Sequence, residues 1–472
     1  MSQKILITTA IDYTNDVIHI GHLYQKVLAD CYARYFRKLL GKENVRFLTG
    51  TDEHGQNIER AAIEKGKTPQ EFVDEISTLD KREQSSLNIS YDRFIRTTDE
   101  DHKKTAAEFF EKVYKAGFIY KAKYTGYYCE GCEEYKTSKS LVDGKCEYHK
   151  PEQLKKLSEE NYFFKWSAFQ AFLKELFSKT PEFVLPKVKY NEMKAFLEQG
   201  ILDIPVSRPT LKWGIPLPID KSQVIYVWFD ALINYYTYAK PIGFWRGDTK
   251  IIHFLGKDNA RWHTLLWPAM LKAAGERLPD TVYVNSFLSL NGQKISKSLG
   301  NVIRASDLKE KFGTDAVRYY LLKYGPLLED ADISLEKIKD VYNSELANNL
   351  GNLVSRTAKL LEGHKVKGQK AKGKSENKKL EGIIDNQIKK FRPDLALQEI
   401  QLEVGKQNKY IQENKPWEMK TEERVEVLGS VVEDILTIAT LLEPFMPETA
   451  EKINEIFARG IIKPTGPLFP RV

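Results

Sequence analysis

Two histidines near the start of the chain, His19 and His22, stand three residues apart with Gly21 between them. They follow the apolar run 5–9, which predicts a buried strand, and a helix is expected to start near His19. Residues three apart share a helix face, and a helix N-terminus directs free N–H groups towards anions. The pattern therefore predicts a phosphate site with two imidazole donors, although two partly buried, hydrogen-bonded histidines would fit it as well.

A second motif, KISKS, carries Lys294 and Lys297 directly after a run of small and polar residues. Small polar residues favour a loop over a helix or a strand. Lysines on a loop can neutralise charge that spreads over phosphate oxygens during a reaction. The sequence thus offers cations as well as imidazoles for phosphate chemistry.

A third motif joins Cys129-x-x-Cys132 to Cys146-x-x-His149 through a short polar segment. Such pairs are typical of a structural zinc knuckle, in which four protein ligands leave no open position for catalysis. The alternative is that these four residues are unrelated. The remaining cysteine, Cys31, lies alone in the first predicted helix.

Four apolar runs predict the strands that would position these motifs, at residues 5–9, 45–50, 224–230 and 251–256. In an open parallel sheet, ligands bind beyond the carboxyl ends of the strands. Asp52 lies at such an end, where it could hold an ammonium group or cap a helix. Aromatic residues follow the later strands, and such a lining suits a thioether, although aromatic residues at these positions are more often core.

The HIGH stretch, 19–22, and KISKS together resemble the paired signatures of class I aminoacyl-tRNA synthetases. The flanking sequence is most similar to methionyl-tRNA synthetases of a short bacterial type, and the resemblance covers almost the whole chain. Three positions depart from the common pattern: Ile295 replaces the usual Met, and Asp12 and Leu232 stand where many relatives carry Pro.

The resemblance implies ATP-dependent attachment of methionine to initiator and elongator methionine tRNA, with Mg²⁺ accompanying ATP and one structural Zn²⁺ bound by the knuckle. It implies catalytic roles for His19, His22, Lys294, Lys297 and Arg208, although Arg208 could instead form a surface ion pair. ATP would be bound by His19, Gly21, His22, Lys257, Asp258, Lys294 and Lys297. Methionine would be bound by Ala10, Ile11, Tyr13, Asp52, Trp228, Ala231, Tyr235 and His263. The CAU anticodon would meet Asn352, Arg356 and Trp417.

The expected fold is α/β, with a Rossmann-like parallel-sheet catalytic domain at 1–118 and 224–288 and a connective insertion with the zinc knuckle at 119–223. The KISKS loop and stem-contact segment would occupy 289–334, and an all-α helical-bundle anticodon-binding domain 335–472. The chain has 472 residues and a net charge of +7, which permits a polyanionic partner. With no apolar run near the ~20 residues of a membrane span and no signal peptide, we expect a cytoplasmic protein. No module is appended to the expected helical domain, so we expect a monomer.

Two other interpretations of the family remain at this stage. A class I synthetase for leucine, isoleucine or valine would carry a larger editing insertion, and a cysteinyl enzyme would place zinc in its active site. A non-catalytic tRNA-binding relative would be free to lose its motif histidines and lysines. The Lys-rich stretch 363–379 is interpreted as a linker or a hairpin loop, with a secondary tRNA phosphate contact as a further function it could have.

Overall fold

The chain divides into two compact units, which are described one at a time. The first comprises residues 1–18, 40–82 and 90–286, and the second comprises 19–39, 83–89 and 287–472. The computed structural model describes residues 3–131, 133–136, 141–146, 150–295, 300–365, 374–458, 460–464 and 466–472.

A seven-stranded sheet organises the first unit. Its strands are β1 (Lys4–Thr9), β2 (Asp12–Tyr13), β3 (Val45–Asp52), β4 (Arg93–Arg96), β8 (Val184–Leu185), β12 (Thr249–Gly256) and β13 (Thr281–Asn285). The order is β2-β3-β1-β12-β13-β8, with β4 also paired to β3, and the pairs are parallel. Strand order reverses on either side of β1, so the carboxyl ends of β1, β3 and β12 form the crevice where ligands bind in such sheets.

An insertion separates the halves of this sheet. It contains β5 (Ile119–Cys129), β6 (Glu134–Lys136), β7 (Leu154–Phe164) and β9 (Ile204–Pro205), which form an antiparallel sheet in the order β6-β5-β7-β9. A short ribbon follows, in which β10 (Ser207–Arg208) pairs antiparallel with β11 (Val224–Ile225). The ribbon returns the chain to the parallel-sheet part of the unit.

Helices complete the first unit around an apolar core. They are α2 (Gln56–Glu64), most of α3 (Pro69–Ser86), α4 (Glu100–Lys115), α5 (Gln170–Lys179), α6 (Lys187–Glu198), α7 (Val227–Leu232), α8 (Asn234–Ala239) and α9 (Trp267–Ala273). Phe109 and Phe110 of α4 pack edge-to-face on Phe229 of α7, and Trp267 of α9 is fully buried. The core thereby fixes α7 close to the crevice.

The second unit is largely helical. It contains α1 (Ile20–Leu40 as a whole helix), α10 (Ala305–Phe312), α11 (Thr314–Tyr324), α12 (Leu335–Val341), α13 (Asn352–Leu360), α14 (Lys374–Lys389), α15 (Pro393–Asn414), α16 (Thr421–Leu442) and α17 (Pro447–Phe457). A small sheet of β14 (Leu288–Leu290), β15 (Gln293–Lys294) and β16 (Ala331–Ile333) precedes the bundle. Arg318 of α11 is fully buried, 2.8 Å from Asp30 of α1, which ties the first helix into this unit.

The α/β class with a helical C-terminal region is confirmed, as are strands β1, β3 and β12 and the helix starting at residue 20. The predicted strand 224–230 is wrong, because the chain leaves the extended conformation after Ile225 and forms α7 from Val227. Apolar, aromatic runs of this length do not distinguish a buried strand from a buried helix. The expected loop before KISKS is a hairpin, β14–β15, turning at Asn291 and Gly292, both with positive φ. The Asn-Gly pair is the signal for such a turn.

Candidate functional site

A buried carboxylate lies at the carboxyl end of β3. Asp52 is 7% exposed, and its neighbour across the β2–β3 pair is Tyr13. Among the residues that the structure describes, no hydrogen-bond partner reaches the Asp52 Oδ1 oxygen. Burial, followed by the nearby Asp230 and Glu133 carboxylates, raises the pKa of Asp52 well above its usual range. A cation bound here would relieve that penalty, so Asp52 is suited to an ammonium group.

Three aromatic side chains, Trp228, Trp262 and Tyr235, form an aromatic wall in the same crevice. The Trp228 ring of α7 stacks on Trp262 with centroids 4.7 Å apart, and Tyr235 of α8 lies in the same buried cluster as Ala10. Ile11 and Trp228 pack against that cluster from its edge, and Ala231 is buried on α7. Four apolar residues of the predicted methionine set thus belong to or pack against one core, and Ala231 lies on the same helix as Trp228.

His263 forms the polar tip of this wall. It lies in the π-helical turn Trp262–Leu266, a type of turn that is frequent at functional sites. Its Nδ1 atom lies 3.0 Å from the Asn259 carbonyl oxygen, which can only accept, so Nδ1 carries the proton. The Nε2 atom then accepts a 2.6 Å hydrogen bond from the Tyr235 hydroxyl. Burial lowers the pKa of His263 to about 4, so this pair stays neutral at physiological pH.

A second layer of buried ionisable groups lies behind Asp52, and sequence reasoning missed it. Asp230 of α7 contacts His54 and His102. Glu53, also fully buried, accepts a 2.7 Å hydrogen bond from Arg96 Nε. His102 and Arg96 come from residues 56–118, a stretch without any of the candidate site residues predicted from the sequence. The available signal was the run of ionisable residues at 52–54 directly after an apolar strand.

The knuckle region is joined to the crevice by Glu133. This residue is 4% exposed, and its Oε1 atom accepts a 2.7 Å hydrogen bond from the Tyr13 hydroxyl. Its carbonyl oxygen accepts a 2.6 Å bond from Tyr226, the residue before α7. Glu133 therefore holds the Tyr13 ring that stands opposite Asp52, and its position next to Cys132 was the only sequence signal.

Of the four predicted metal ligands, Cys129 and Cys146 are described and Cys132 and His149 lie outside the described residues. Cys129 and Cys146 are buried at 0% and 6% exposure. Within the described part of the chain, no group of three or more His, Cys, Asp and Glu side chains could hold a metal ion. The structure therefore describes two of the four predicted metal ligands.

Arg208 lies in the β10–β11 ribbon and is 4% exposed, which excludes the surface ion pair. Its guanidinium lies 4.1 Å from the Tyr128 ring centroid and 5.6 Å from that of Tyr135. Its Nε atom is 3.6 Å from Glu159 Oε1. The described contacts hold this cation against the tyrosines of the insertion.

The motif histidines of the second unit lie together at the start of α1. Their ring centroids are 4.0 Å apart. His19 Nδ1 accepts the Gly21 N–H at 3.1 Å, and His22 Nδ1 accepts the His19 N–H at 3.2 Å. With Nδ1 accepting, each neutral ring carries its proton on Nε2 and can donate from there.

Gly21 is required by the motif itself. A Cβ at this position would lie 2.9 Å from His19 Cε1, so any side chain would displace the imidazole. Glycine at this position therefore leaves room for the neighbouring histidine ring. The same Cβ would lie 4.0 Å from Ile295 Cδ1, which brings the two motifs of this unit next to each other.

The two motif lysines lie at the end of the β14–β15 hairpin and after it. Lys297 lies outside the described residues, and for Lys294 only the backbone, in β15, is described. Lys257 and Asp258 are in the first unit, in a 3₁₀ turn directly after β12. A Cβ at Gly256 would lie 2.8 Å from Asp258 Oδ1, so glycine lets that carboxylate fold back at the strand end.

A separate open cavity of about 430 Å³ lies on the helical bundle. It is lined by Arg356, Lys359, Leu360, Glu362, His364, Trp417 and Arg424. The Arg356 guanidinium lies 4.5 Å from the Trp417 ring centroid, and Asn352 is exposed one turn earlier on α13. Cationic groups around an exposed indole form a surface suited to an unstacked base and its phosphates. The Lys-rich stretch 363–379 lies partly outside the described residues, which end at 365 and resume at 374.

The structure contains, in its described part, no helix long and apolar enough to cross a membrane.

Comparison with known proteins relates the chain to one family. Residues 5–158 and 150–358 match the family described as tRNA synthetases class I (M). A methionine--tRNA ligase of Caldanaerobacter subterraneus is 41% identical, with 96% of this chain and 74% of the relative covered. A methionine--tRNA ligase of Nostoc is 38% identical, with 96% of this chain and 90% of the relative covered. The fold is similar to that of Mycobacterium tuberculosis methionyl-tRNA synthetase in complex with methionyl-adenylate, at a TM-score of 0.91 and 33% identity over 99% of this chain and 100% of that chain.

Proposed function

The chain belongs to the methionyl-tRNA synthetases of class I, and from that premise we propose which of its residues bind methionine, ATP, metal and tRNA. The enzyme is a methionine--tRNA ligase. The methionine carboxylate attacks the α-phosphate of ATP and displaces pyrophosphate. A hydroxyl of the tRNA 3′-terminal ribose then attacks the carbonyl of methionyl-adenylate and displaces AMP. No enzyme nucleophile takes part, so the protein contributes orientation and charge stabilisation.

In the proposed methionine site, the ammonium group binds Asp52 and the thioether lies against Trp228, Tyr235 and His263. Ala10, Ile11, Tyr13 and Ala231 complete the lining. The observation that carries this proposal is the buried Asp52 Oδ1 atom, which lacks a hydrogen-bond partner among the described residues. Sulfur–aromatic contact contributes about 0.3–1.5 kcal/mol, so the aromatic wall adds affinity for a thioether.

Asp52→Asn tests this site. The substitution keeps the shape of the side chain and removes the charge that would pair with the ammonium group. We expect the KM for methionine in pyrophosphate exchange to rise by on the order of 100-fold, because a lost charged hydrogen bond leaves the ammonium group buried without its partner. The KM for ATP should stay within about two-fold, since ATP does not contact this carboxylate.

The matched control is Asp280→Asn. Asp280 accepts a 2.7 Å hydrogen bond from the Ile251 N–H and precedes β13, so it lies at the amino-terminal edge of the sheet, opposite the crevice. Its substitution should leave the KM for methionine unchanged. An Asp52→Asn enzyme with the parental KM for methionine would show that the ammonium group binds elsewhere.

For ATP, we propose that His19, Gly21 and His22 at the start of α1, together with Lys257 and Asp258 after β12, bind the nucleotide. Lys294 and Lys297 are proposed to neutralise charge on the phosphates as pyrophosphate leaves. Arg208 is proposed to add positive charge near the phosphates, and its burial against Tyr128 supports an arginine with a fixed position. Mg²⁺ bound to the phosphates of ATP supplies further charge neutralisation.

We also propose one structural Zn²⁺ bound by Cys129, Cys132, Cys146 and His149. The two described cysteines fit this assignment, because both are buried, as the thiolate ligands of a closed structural site are. Zinc would hold together a short polar segment with little apolar core of its own. The metal would be closed to substrate and take no part in either reaction step.

For tRNA, we propose that Asn352, Arg356 and Trp417 bind the CAU anticodon of initiator and elongator methionine tRNA. Unstacked bases in RNA loops are bound on aromatic or guanidinium planes while polar side chains hydrogen-bond their edges. Arg356 over Trp417 supplies both planes in one place, which supports the proposal. We further propose that the enzyme is a monomer and that it acts in the cytoplasm, where methionine tRNA is used.

A further inference from the structure

Asp230 is a fully buried carboxylate with no role in the reaction as proposed above. It lies on α7, and both of its oxygen atoms are engaged. Oδ2 lies 2.7 Å from His54 Nδ1, and Oδ1 lies 2.8 Å from His102 Nε2. Because a charged carboxylate can only accept, each histidine donates an N–H to it. Asp230 is therefore the common acceptor of two histidines from distant parts of the chain.

The three side chains come from the elements that form opposite sides of the proposed methionine site. His54 follows Asp52 by two residues, so it belongs to the end of β3 that presents the ammonium-binding carboxylate. Asp230 lies between Trp228 and Ala231 on α7, which carries the aromatic side. His102 lies on α4 and donates a hydrogen bond to the second oxygen of Asp230, Oδ1.

This cluster is shielded from water and packed on several sides. His54 is 4% exposed and His102 is 0% exposed. His54 is also packed edge-on against Trp213, with ring centroids 5.6 Å apart, and His102 Nδ1 lies 3.2 Å from the Thr237 hydroxyl of α8. Burial alone would raise the pKa of Asp230, but His54 and His102 outweigh it and lower the pKa to about 2. The acceptor is thus charged and strongly bonded at every pH at which the enzyme works.

We propose that Asp230, acting through His54 and His102, is a positioning residue that fixes the separation between Asp52 and the aromatic wall of Trp228, and thereby selects an amino acid of the length of methionine. The proposal rests on the methionine site proposed above. An amino acid held by its ammonium group at one end can place its thioether against the wall only if the two anchors are the correct distance apart. When the hydrogen bonds from His54 and His102 to Asp230 are weakened, a longer or shorter thioether amino acid should be rejected less strongly.

Asp230→Asn is the first test, since it keeps the volume of the side chain and replaces one acceptor oxygen by an NH₂ group that cannot accept from a histidine. Pyrophosphate exchange is measured with methionine and with ethionine, which is one methylene longer. We expect the KM for methionine to rise by on the order of 10- to 100-fold, because a misplacement of about 1 Å can reduce a rate by roughly 10²-fold. The preference for methionine over ethionine should fall at least about five-fold, and the KM for ATP should stay within about two-fold.

A pair of substitutions at His54 keeps the test decisive if Asp230→Asn fails to fold. An asparagine places its amide nitrogen close to the position of the imidazole Nδ1 atom, whereas an alanine removes the donor. His54→Ala should therefore show the same change in methionine KM and in ethionine discrimination, and His54→Asn should recover most of both. Recovery by the isosteric donor would not follow from a general loss of packing.

The outcomes separate this inference from the proposed site. Equal losses towards methionine, ethionine and ATP, in step with a lower melting temperature, would mean that Asp230 only stabilises the fold. Unchanged KM values in Asp230→Asn and His54→Ala, with Asp52→Asn still defective, would overturn the inference and leave the methionine site standing. If Asp52→Asn were also unaffected, the methionine site itself would be wrong. Asp280→Asn serves again as the control, since Asp280 is a carboxylate that accepts a backbone N–H at the opposite edge of the sheet.

Discussion

Replacement of Trp417 by alanine gives the sharpest test of how this enzyme recognises tRNA. Trp417 is 39% exposed, and the Arg356 guanidinium covers one side of its ring at 4.5 Å. Arg356 is itself oriented by Gln412, 3.3 Å away on α15. The indole thus stands in the free protein with one side supported by an arginine, which suits it to receive an anticodon base.

The expected loss follows from these contacts. Stacking of one base on an aromatic side chain contributes about 1–3 kcal/mol. The cation–π contact with Arg356, about 0.5–1 kcal/mol at an exposed site, is present with and without tRNA and cancels from the binding free energy. Since about 1.4 kcal/mol is a factor of ten, kcat/KM for methionine tRNA should fall by roughly 5- to 150-fold.

Two assays on the same variant provide the comparison. Aminoacylation of methionine tRNA should show the loss, whereas pyrophosphate exchange with methionine and ATP should be unchanged, because none of the residues proposed for those substrates lines this cavity. Tyr410→Ala is the matched control, since Tyr410 is 38% exposed on α15 and does not line the cavity. It should charge tRNA at the parental rate.

Two results would refute the reasoning. If Trp417→Ala charged methionine tRNA as well as the parent, the anticodon would bind elsewhere. If pyrophosphate exchange fell in step with charging, the substitution would have damaged the enzyme as a whole.

Three further predictions concern zinc, the first motif and pH. Freshly purified enzyme should contain one zinc per chain by elemental analysis, and Cys146→Ala should lose the metal or become insoluble; a zinc-free active parent would contradict the assignment. Gly21→Ala should slow adenylate formation by on the order of 100-fold without changing methionine affinity, because the added Cβ would stand 2.9 Å from His19 Cε1 and displace that ring. Buried His263 has a pKa of about 4 in the folded chain, below its unfolded value, so the unfolded chain takes up the proton first and stability falls as pH drops from about 6.5 to 4. Between pH 7 and 5 this contributes a loss of roughly 2 kcal/mol, so His263→Gln should show a shallower decline in unfolding midpoint than the parent, and an equal decline would exclude His263 as the source.

The residues that the sequence identified are those whose role is local. An apolar run followed by Asp52 predicted β3 with a carboxylate at its end, and two histidines around a glycine predicted a helix start. Asn352 and Arg356 are four residues apart in the expected helical domain, and α13 contains both. Such features depend on neighbours a few residues away, so periodicity and spacing are sufficient to reveal them.

Tertiary structure alone decided which distant groups meet. The parallel register sets Tyr13 opposite Asp52, and Asp230 binds His54 and His102 although they are 176 and 128 residues away. The apolar run 224–230 indicates that this segment is buried but not whether it is a strand or a helix. In the folded chain the segment is helical from Val227, where α7 packs on α4 through Phe229 and Phe109. Local sequence determines burial and, in part, conformation. The partner of a buried charge is determined only by strand register and helix packing, because these bring distant residues together. A partner is required there, since a buried charge without one has a high free-energy cost.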